Sequence, residues 1–380
     1  MSVTTASSPS PSTAVLDVWY TRCPVPSAWG VALRSGKFHE EFASDAGISF
    51  RSVLDSEDPA VHDAHYYGTL ENAFRLGGNI PPIWARSRGA NTRVVGISWT
   101  TTPSPILTLR STGIQGVADL KGKRLLVIRR PEEEIDFLHA GQVRNYESAL
   151  ATAGLTLDDV TLVEKTVGGS SEHSKPADGS GAVRPRLSLQ AQSLGPLLQG
   201  DVDAVTAQGP AAVSLIQGFD AQVVYDISRH PDPLKRIHNS VPKLLTVDAG
   251  LIARRPEVVI RVLARLLEAP RWAEENRAEA IHFIAQEQNV ADVLVETAYG
   301  DRLAPELELN LSAENIARIE AQKQFLLRRG YLENDFEVAA WIDSEPLEAA
   351  RVLAARNQES PRPARQSPLA AVGPAGCRAR

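Results

Sequence analysis

Cysteine, lysine and long apolar runs are all scarce in this sequence of 380 residues. The two cysteines, Cys23 and Cys377, are too few for a disulfide framework, so we expect reduced thiols and a cytoplasmic location. No apolar run reaches the ~18–20 residues that a transmembrane helix needs, which argues against a membrane protein. Residues 1–12 have neither a basic start nor an apolar core, so we interpret them as a disordered leader rather than a secretory signal.

Positive charge is also in short supply. The 40 lysine and arginine residues are outnumbered by 46 aspartate and glutamate residues, and the resulting net charge of −6 argues against a nucleic-acid partner. Of the 40 basic residues, 32 are Arg and 8 are Lys. Arginine is suited to planar anions, although a GC-rich genome would produce the same bias. A hydrophobic content of 43% is ordinary for a globular chain long enough to form two lobes.

Strand-like and helix-like segments follow one another along the chain. Strands are predicted at residues 14–20, 47–53, 93–99, 105–109, 123–128, 159–165, 202–206, 221–226 and 243–253. Helices are predicted at 28–35 (after the N-cap Ser27), 71–76, 137–153, 188–198, 256–275, 277–288 and 313–329. This order predicts an α/β protein with mostly parallel sheets.

Two segments outside these elements are polar and rich in small residues. Residues 168–183 read GGSSEHSKPADGSGAV, which is typical either of a mobile lid or of an inert insertion. Residues 357–380 are rich in Pro, Ala and Arg and predict a disordered tail.

Three segments resemble bilobed solute-binding proteins of the nitrate, sulfonate and taurine type. They are residues 117–124 (VADLKGKR), 198–205 (LQGDVDAV) and 253–276. The resemblance implies a two-lobed, periplasmic-binding-protein-like (type II) fold with the ligand in a cleft between the lobes. It implies one lobe from residues 13–103 and 230–356 and another from 104–229, with crossovers near 101–107 and 226–240.

Two further motifs resemble the 2'-hydroxybiphenyl-2-sulfinate desulfinases of dibenzothiophene desulfurisation. They are residues 20–26 (YTRCPVP) and 75–82 (RLGGNIPP), with His65 ten residues before Arg75 and QFLL at 324–327. The resemblance implies a carbon–sulfur bond hydrolase that releases sulfite from an aryl sulfinate. It implies no metal or organic cofactor, and we expect a monomer whose partner is the small-molecule sulfinate.

Cys23 is the first candidate catalytic residue. It follows a predicted strand at the end where α/β proteins bind ligands, and Pro24 and Pro26 stiffen the turn before Ser27. A helix N-terminus just beyond would favour the thiolate. The alternative is a small buried apolar side chain; the family resemblance implies the catalytic role.

His65 follows His62 at a spacing that invites a metal site. A zinc site needs three or four protein ligands, and no third ligand is obvious, so we expect none. The resemblance instead implies that His65 hydrogen-bonds the Cys23 sulfur or an oxyanion. Tyr66 supplies an aromatic ring beside it for the substrate.

Arg75 and the glycines Gly77 and Gly78 form the third part of the candidate site. Arg75 could be a solvated cation at a helix end or a bidentate clamp on a sulfinate. The two glycines would let backbone N–H groups approach an anion closely, although glycines also end helices. Where the family carries a Trp, residues 141–143 of this chain read GQV, so we expect a changed aryl pocket.

Two mechanisms and two other functions stay open at this level. The Cys23 thiolate could attack the sulfinate sulfur, or the thiol could protonate the ring carbon so that sulfur dioxide leaves. A non-catalytic sulfonate- or taurine-binding protein is the main alternative function. An iron-dependent pyrimidine-precursor synthase of the same fold is a third, but its cysteine-rich motif has no counterpart here.

Overall fold

The computed structural model describes residues 15–167 and 189–359. Its strands are β1 (Leu16–Arg22), β2 (Ile48–Ser52), β3 (Ala73–Gly77), β4 (Thr92–Ser98), β5 (Pro105–Leu109), β6 (Arg124–Arg129), β7 (Thr161–Thr166), β8 (Val205–Thr206), β9 (Ala221–Asp226) and β10 (Lys243–Asp248). Its α-helices are α1 (Ala28–Arg34), α2 (Lys37–Phe42), α3 (Pro59–Tyr67), α4 (Ile80–Ser87), α5 (Phe137–Leu150), α6 (Leu189–Gln199), α7 (Gly209–Gly218), α8 (Ala249–Arg254), α9 (Pro256–Glu275), α10 (Arg277–Gln288), α11 (Asp292–Tyr299), α12 (Ala313–Arg328) and α13 (Glu345–Glu359).

The strands fall into two groups, and the chain crosses between these groups twice. The first sheet has the order β2-β1-β3-β10-β4, and the second group contains β8-β5-β9 and the pair β6-β7. A single bridge between Leu125 and Ala204 brings β6 beside β8. The chain passes from the first sheet to the second between β4 and β5, and it returns between β9 and β10.

The prediction of mostly parallel sheets is wrong. β1 pairs in parallel with β2 and β3, and β6 pairs in parallel with β7. β10 runs antiparallel to β3 and β4, and β5 runs antiparallel to β8 and β9. The reversal at β10 arises because the chain re-enters the first sheet from the second group of strands, and the local sequence does not specify that direction of approach.

The predicted helix at 71–76 is also wrong, because this segment is the strand β3. Phe74, Arg75 and Leu76 are all buried between β1 and β10. Burial on both faces removes the polar–apolar alternation that would identify a strand, and tertiary pairing then decides the conformation. The predicted strand at 243–253 ends at Asp248, whose carboxylate accepts hydrogen bonds from Gly250 N and Leu251 N and caps α8.

Several predicted elements are confirmed with the same bounds, namely β5, β9, α9 and α10. Ser27 is confirmed as the N-cap of α1, since its side chain accepts a hydrogen bond from Gly30 N at 3.2 Å. The leader, the 168–183 segment and Cys377 lie outside the described residues, as does the tail beyond residue 359. Among the residues that are described, no helix combines the length and apolar character needed to cross a membrane.

Candidate active site

Cys23 lies at the carboxyl end of β1, between that strand and α1. Its backbone N–H donates to Leu76 O at 3.0 Å, which extends the pairing of β1 with β3 by one residue. The aromatic ring of Trp29 in α1 packs 5.5 Å from that of Phe74 in β3 and anchors the helix on the sheet. The turn that carries the thiol is therefore held from both sides.

The imidazole of His65 links Cys23 to a residue that the sequence analysis missed. Cys23 Sγ lies 3.4 Å from His65 Nε2, and Thr21 Oγ1 lies 2.7 Å from His65 Nδ1. Thr21 and Cys23 are two residues apart, so an extended chain places both side chains on one face. The Thr21 hydroxyl can donate to Nδ1 or accept from it, and thereby orients the ring for either tautomer. The alternation of β1 was the signal that could have identified Thr21.

Arg75 lies in β3 and is 6% exposed. Its Nε donates to His65 O at 2.6 Å, and its Nη1 donates to Gly78 O at 3.0 Å. Within the described residues, the buried Nη2 atom has no hydrogen-bond partner. Burial lowers the pKa of Arg75, and negative charge on Cys23 and Tyr66 opposes that shift. Arg75 is thus a strand residue and not a cation at a helix end.

Gly77 and Gly78 are required by close approaches rather than by backbone conformation. A Cβ atom on Gly77 would lie 2.4 Å from Cys23 Sγ. A Cβ atom on Gly78 would lie 2.7 Å from Asn239 O. Neither residue has a positive φ angle, so space alone accounts for glycine here. Because Gly77 and Gly78 have no side chains, the backbone of Gly77 can lie against the Cys23 thiol and that of Gly78 against Asn239.

Asn239, in the segment that returns to the first sheet, is a second residue that the sequence analysis missed. Asn79 N donates to its backbone oxygen at 2.8 Å, and Ile80 N donates to its Oδ1 at 3.2 Å. A Cβ atom on Gly141 of α5 would lie 3.4 Å from Asn239 Cβ. Asn239 therefore occupies the space between Gly78 and Gly141, and nothing local in the sequence could have identified that role.

Aromatic rings connect the thiol site to α5. The Tyr66 ring meets the His65 ring edge-on at a centroid distance of 5.0 Å. It also stacks on Phe137, the first residue of α5, at 6.0 Å and 20°. The Arg130 guanidinium lies 4.3 Å from the Phe137 ring centroid. Tyr66, Phe137 and Arg130 thus form a continuous aromatic and cationic surface from α3 to α5.

The structure separates the two histidines that suggested a metal site. His62 Nε2 lies 2.7 Å from Ser56 O, whereas His65 faces Cys23 and Thr21. In residues 15–167 and 189–359, no group of three or more His, Cys, Asp or Glu side chains could hold a metal ion.

Comparisons with protein families and with known proteins show what this chain is similar to. Residues 71–176 match a family model described as NMT1/THI5 like. The chain is 26% identical over 350 residues to 2'-hydroxybiphenyl-2-sulfinate desulfinase from Rhodococcus erythropolis. The alignment covers 86% of this chain and 91% of that protein, and the enzyme of Rhodococcus qingshengii matches to the same extent.

Solved structures support the same fold. A cysteine-to-serine mutant of DSZB in complex with biphenyl-2-sulfinic acid has a TM-score of 0.72 at 24% identity, over 89% of this chain and 99% of that chain. The aliphatic sulphonate binding protein SsuA from Escherichia coli has a TM-score of 0.64 at 17% identity, over 86% and 92% of the two chains. The expected fold and resemblance are confirmed: the chain has the two-lobed fold shared by DSZB and SsuA, and it is similar to 2'-hydroxybiphenyl-2-sulfinate desulfinase over most of its length.

Proposed function

We propose that this protein is a desulfinase that hydrolyses the carbon–sulfur bond of an aryl sulfinate and releases sulfite. The observation that carries the proposal is the Cys23 thiol, which lies 3.4 Å from His65 Nε2, while the buried Arg75 donates a hydrogen bond to the backbone oxygen of His65. Capture of a sulfonate requires a cation but no thiol paired with an imidazole. The similarity to the Rhodococcus desulfinases supports the same reaction.

Each predicted site residue has a role in this proposal. Arg75 binds the sulfinate oxygens through its unpaired Nη2, assisted by the backbone at Gly77 and Gly78. Tyr66 contacts the aromatic ring of the substrate, which is 2'-hydroxybiphenyl-2-sulfinate or a related aryl sulfinate. Cys23 performs the chemistry, with His65 controlling its proton.

Both mechanisms remain compatible with this geometry. In the first, the Cys23 thiolate bonds to sulfur, the aryl carbon leaves with a proton from His65, and water cleaves the sulfur–sulfur bond to give sulfite and the thiol. In the second, the Cys23 thiol protonates the ring carbon and sulfur dioxide leaves. Water then converts sulfur dioxide to bisulfite, and the proton released returns to the thiolate.

A sulfite-release assay over a panel of aryl and alkyl sulfinates tests the proposal. We expect release from hydroxyaryl sulfinates by the wild-type protein and none by a folded Cys23→Ser variant, since a hydroxyl is a much weaker nucleophile and acid. Sulfite release from no member of the panel, or normal release by Cys23→Ser, would contradict it.

A non-catalytic sulfonate-binding protein is the second candidate function, favoured by the fold shared with SsuA. Calorimetric titration with the same sulfinates and with matching sulfonates distinguishes the two. Tight binding of sulfonates without any sulfite release would favour the binding protein.

The proposed organisation also has direct tests. We propose that residues 13–103 with 230–356 and residues 104–229 form the two lobes, which limited proteolysis can examine. We further propose a cytoplasmic monomer that needs no cofactor. Fractionation of host cells, light scattering, and sulfite release after exhaustive dialysis against a chelator test these points in turn.

A further inference from the structure

Phe137 is a residue through which α5 contacts the thiol site. Its ring stacks on the ring of Tyr66 at a centroid distance of 6.0 Å and an interplanar angle of 20°. The Tyr66 ring meets the His65 imidazole edge-on at 5.0 Å, and His65 Nε2 lies 3.4 Å from Cys23 Sγ. A single aromatic ring therefore separates Phe137 from the imidazole that faces the thiol.

The helix face that carries Phe137 meets the thiol site at a second position. Gly141 is four residues further along α5, and residues four apart share one face of a helix. A Cβ atom on Gly141 would lie 3.4 Å from Asn239 Cβ, and Asn239 O accepts a hydrogen bond from Asn79 N at 2.8 Å. Because Gly141 has no side chain, the ring that this face presents to the site is that of Phe137.

The turn between β6 and α5 places a cation beside this ring. Asp136 Oδ1 accepts a hydrogen bond from His139 N at 3.1 Å and caps α5, while Asp136 Oδ2 accepts one from Arg130 N at 2.8 Å. One carboxylate thus closes the turn from residue 130 to residue 136. The Arg130 guanidinium then lies 4.3 Å from the centroid of the Phe137 ring.

The ring of Phe137 is the closest partner of the Arg130 charge. Arg130 is 5% exposed, and its Nη1 lies 3.9 Å from Glu133 Oε1, which is longer than a hydrogen bond. In the part of the chain that the structure describes, the buried Nε and Nη2 atoms have no hydrogen-bond partner. A cation over an aromatic face is attracted by the ring, most strongly when it is desolvated. Arg130 therefore holds the Phe137 ring in place.

The rings of Tyr66 and Phe137 retain surface for a further contact. Both residues are only half-buried, and so is Cys23. Aromatic rings pair in offset or edge-on arrangements, so two half-buried rings next to an anion-binding site are suited to a third ring that carries the anion. A site for an alkyl anion would need a cation but no such pair of rings.

We propose that Phe137 is a specificity-determining residue, whose ring, held by Arg130, contacts together with Tyr66 the aromatic ring of a sulfinate bound at Cys23. The inference rests on the proposed function for the sulfinate group and adds the selection of aryl over alkyl substrates. Phe137 acts on binding of the ring and not on cleavage of the carbon–sulfur bond. Arg130 is a positioning residue that acts through Phe137.

The test compares two sulfinates of similar size, benzenesulfinate and cyclohexanesulfinate. Their dissociation constants are measured by calorimetry in a Cys23→Ser background, so that neither is consumed. The wild-type residue at 137 should give tighter binding of benzenesulfinate, and Phe137→Leu should lower this preference roughly tenfold. Phe137→Tyr keeps the ring and should keep the preference. A merely structural role would weaken the binding of both sulfinates equally and leave their ratio unchanged.

Two matched controls use aromatic contacts elsewhere in the fold. Phe283 stacks on Trp272 at 5.7 Å and 3°, so Phe283→Leu removes a comparable ring and should leave the preference unchanged. Arg130→Met should lower the preference in the same direction as Phe137→Leu, by roughly threefold, because the ring loses its cation. Arg51 lies 4.5 Å from the ring centroid of Trp19, and Arg51→Met should have no effect on the preference.

The outcomes separate this inference from the proposed function. An aryl preference that depends on Phe137, without sulfite release by the wild-type protein, would contradict the proposed function alone. Sulfite release together with an unchanged ratio in folded Phe137→Leu would overturn this inference alone. A parent protein that binds both sulfinates equally also overturns it, and one that binds neither overturns both.

A second variant decides the matter if Phe137→Leu does not fold. Phe137→Trp retains an aromatic ring and adds a fluorophore at the proposed contact. Nitroaromatic compounds quench tryptophan emission on contact, so 4-nitrobenzenesulfinate should quench the added emission of Phe137→Trp at concentrations that saturate the site. Quenching no greater than that of the parent overturns the proposal.

Discussion

Gly77→Ala tests the geometry of the site with one added methyl group. The new Cβ would lie 2.4 Å from Cys23 Sγ and 3.2 Å from Cys23 Cβ. Ordinary contacts between such atoms are about 3.5–4.0 Å, so the sulfur has to move by about 1 Å. That displacement breaks the 3.4 Å contact between Cys23 Sγ and His65 Nε2. A misplacement of this size costs roughly a hundredfold in turnover.

The stability cost can be assigned to the sulfur by a double-mutant cycle. Overpacking of this kind costs about 1–3 kcal/mol, measured by urea unfolding. In a Cys23→Ala background the 2.4 Å contact disappears, while the contacts at 3.2 Å with Cβ and at 3.5 Å with the backbone nitrogen of residue 23 remain, so Gly77→Ala should cost less there. Gly218→Ala is the matched control, because Gly218 is an exposed helix residue and its added Cβ meets nothing within 4 Å.

Two assays are read together on these proteins, namely sulfite release and alkylation of Cys23. We expect both to fall in Gly77→Ala and to stay normal in Gly218→Ala. A Gly77→Ala protein with normal turnover and a normal alkylation rate would show that the thiol does not need its position beside His65, and it would refute the reasoning.

Three further predictions follow from the same contacts. Arg75→Lys keeps the charge, but its single nitrogen cannot take the places of both Nε beside His65 O and Nη1 beside Gly78 O. Turnover should therefore fall roughly ten- to a hundredfold in the sulfite assay; normal kinetics would make Arg75 structural only. Thr21→Val removes the hydroxyl that orients His65, and we expect a roughly tenfold lower kcat, with an unchanged far-UV spectrum and a shifted pH–rate profile. His238 has its folded pKa lowered to about 3 from 6.5, so its contribution to stability is present above pH 6.5 and is lost as pH falls towards 3. Urea unfolding over that range should show a shallower loss in His238→Gln than in the wild-type protein.

The local signals in the sequence were sufficient wherever one segment decides its own structure. Ser27 caps α1 through the third residue beyond it, and the 20 residues of α9 have a strong helical periodicity of apolar side chains, so both elements were predicted correctly. The placement of Cys23 after a strand and before a capped helix is also local. This part of the candidate site is therefore predictable from the order of residues along the chain.

The conformation of β3 was decided by tertiary pairing instead. Its five residues contain too few positions to distinguish a short helix from a strand, and their burial between β1 and β10 settles the matter. The opposite direction of β10 depends on how the chain returns from the second group of strands, which no property of residues 243–248 encodes.

The remaining parts of the site depend on contacts between residues far apart in the chain. Thr21 contacts His65, which lies 44 residues further along the chain, and Asn239 accepts a hydrogen bond from Ile80, which lies 159 residues before it. The sequence by itself determined which chemical groups are present and which lie at the ends of strands. Only the tertiary structure decided which of them share one buried volume, because desolvation and charge interactions act through space and are independent of position along the chain.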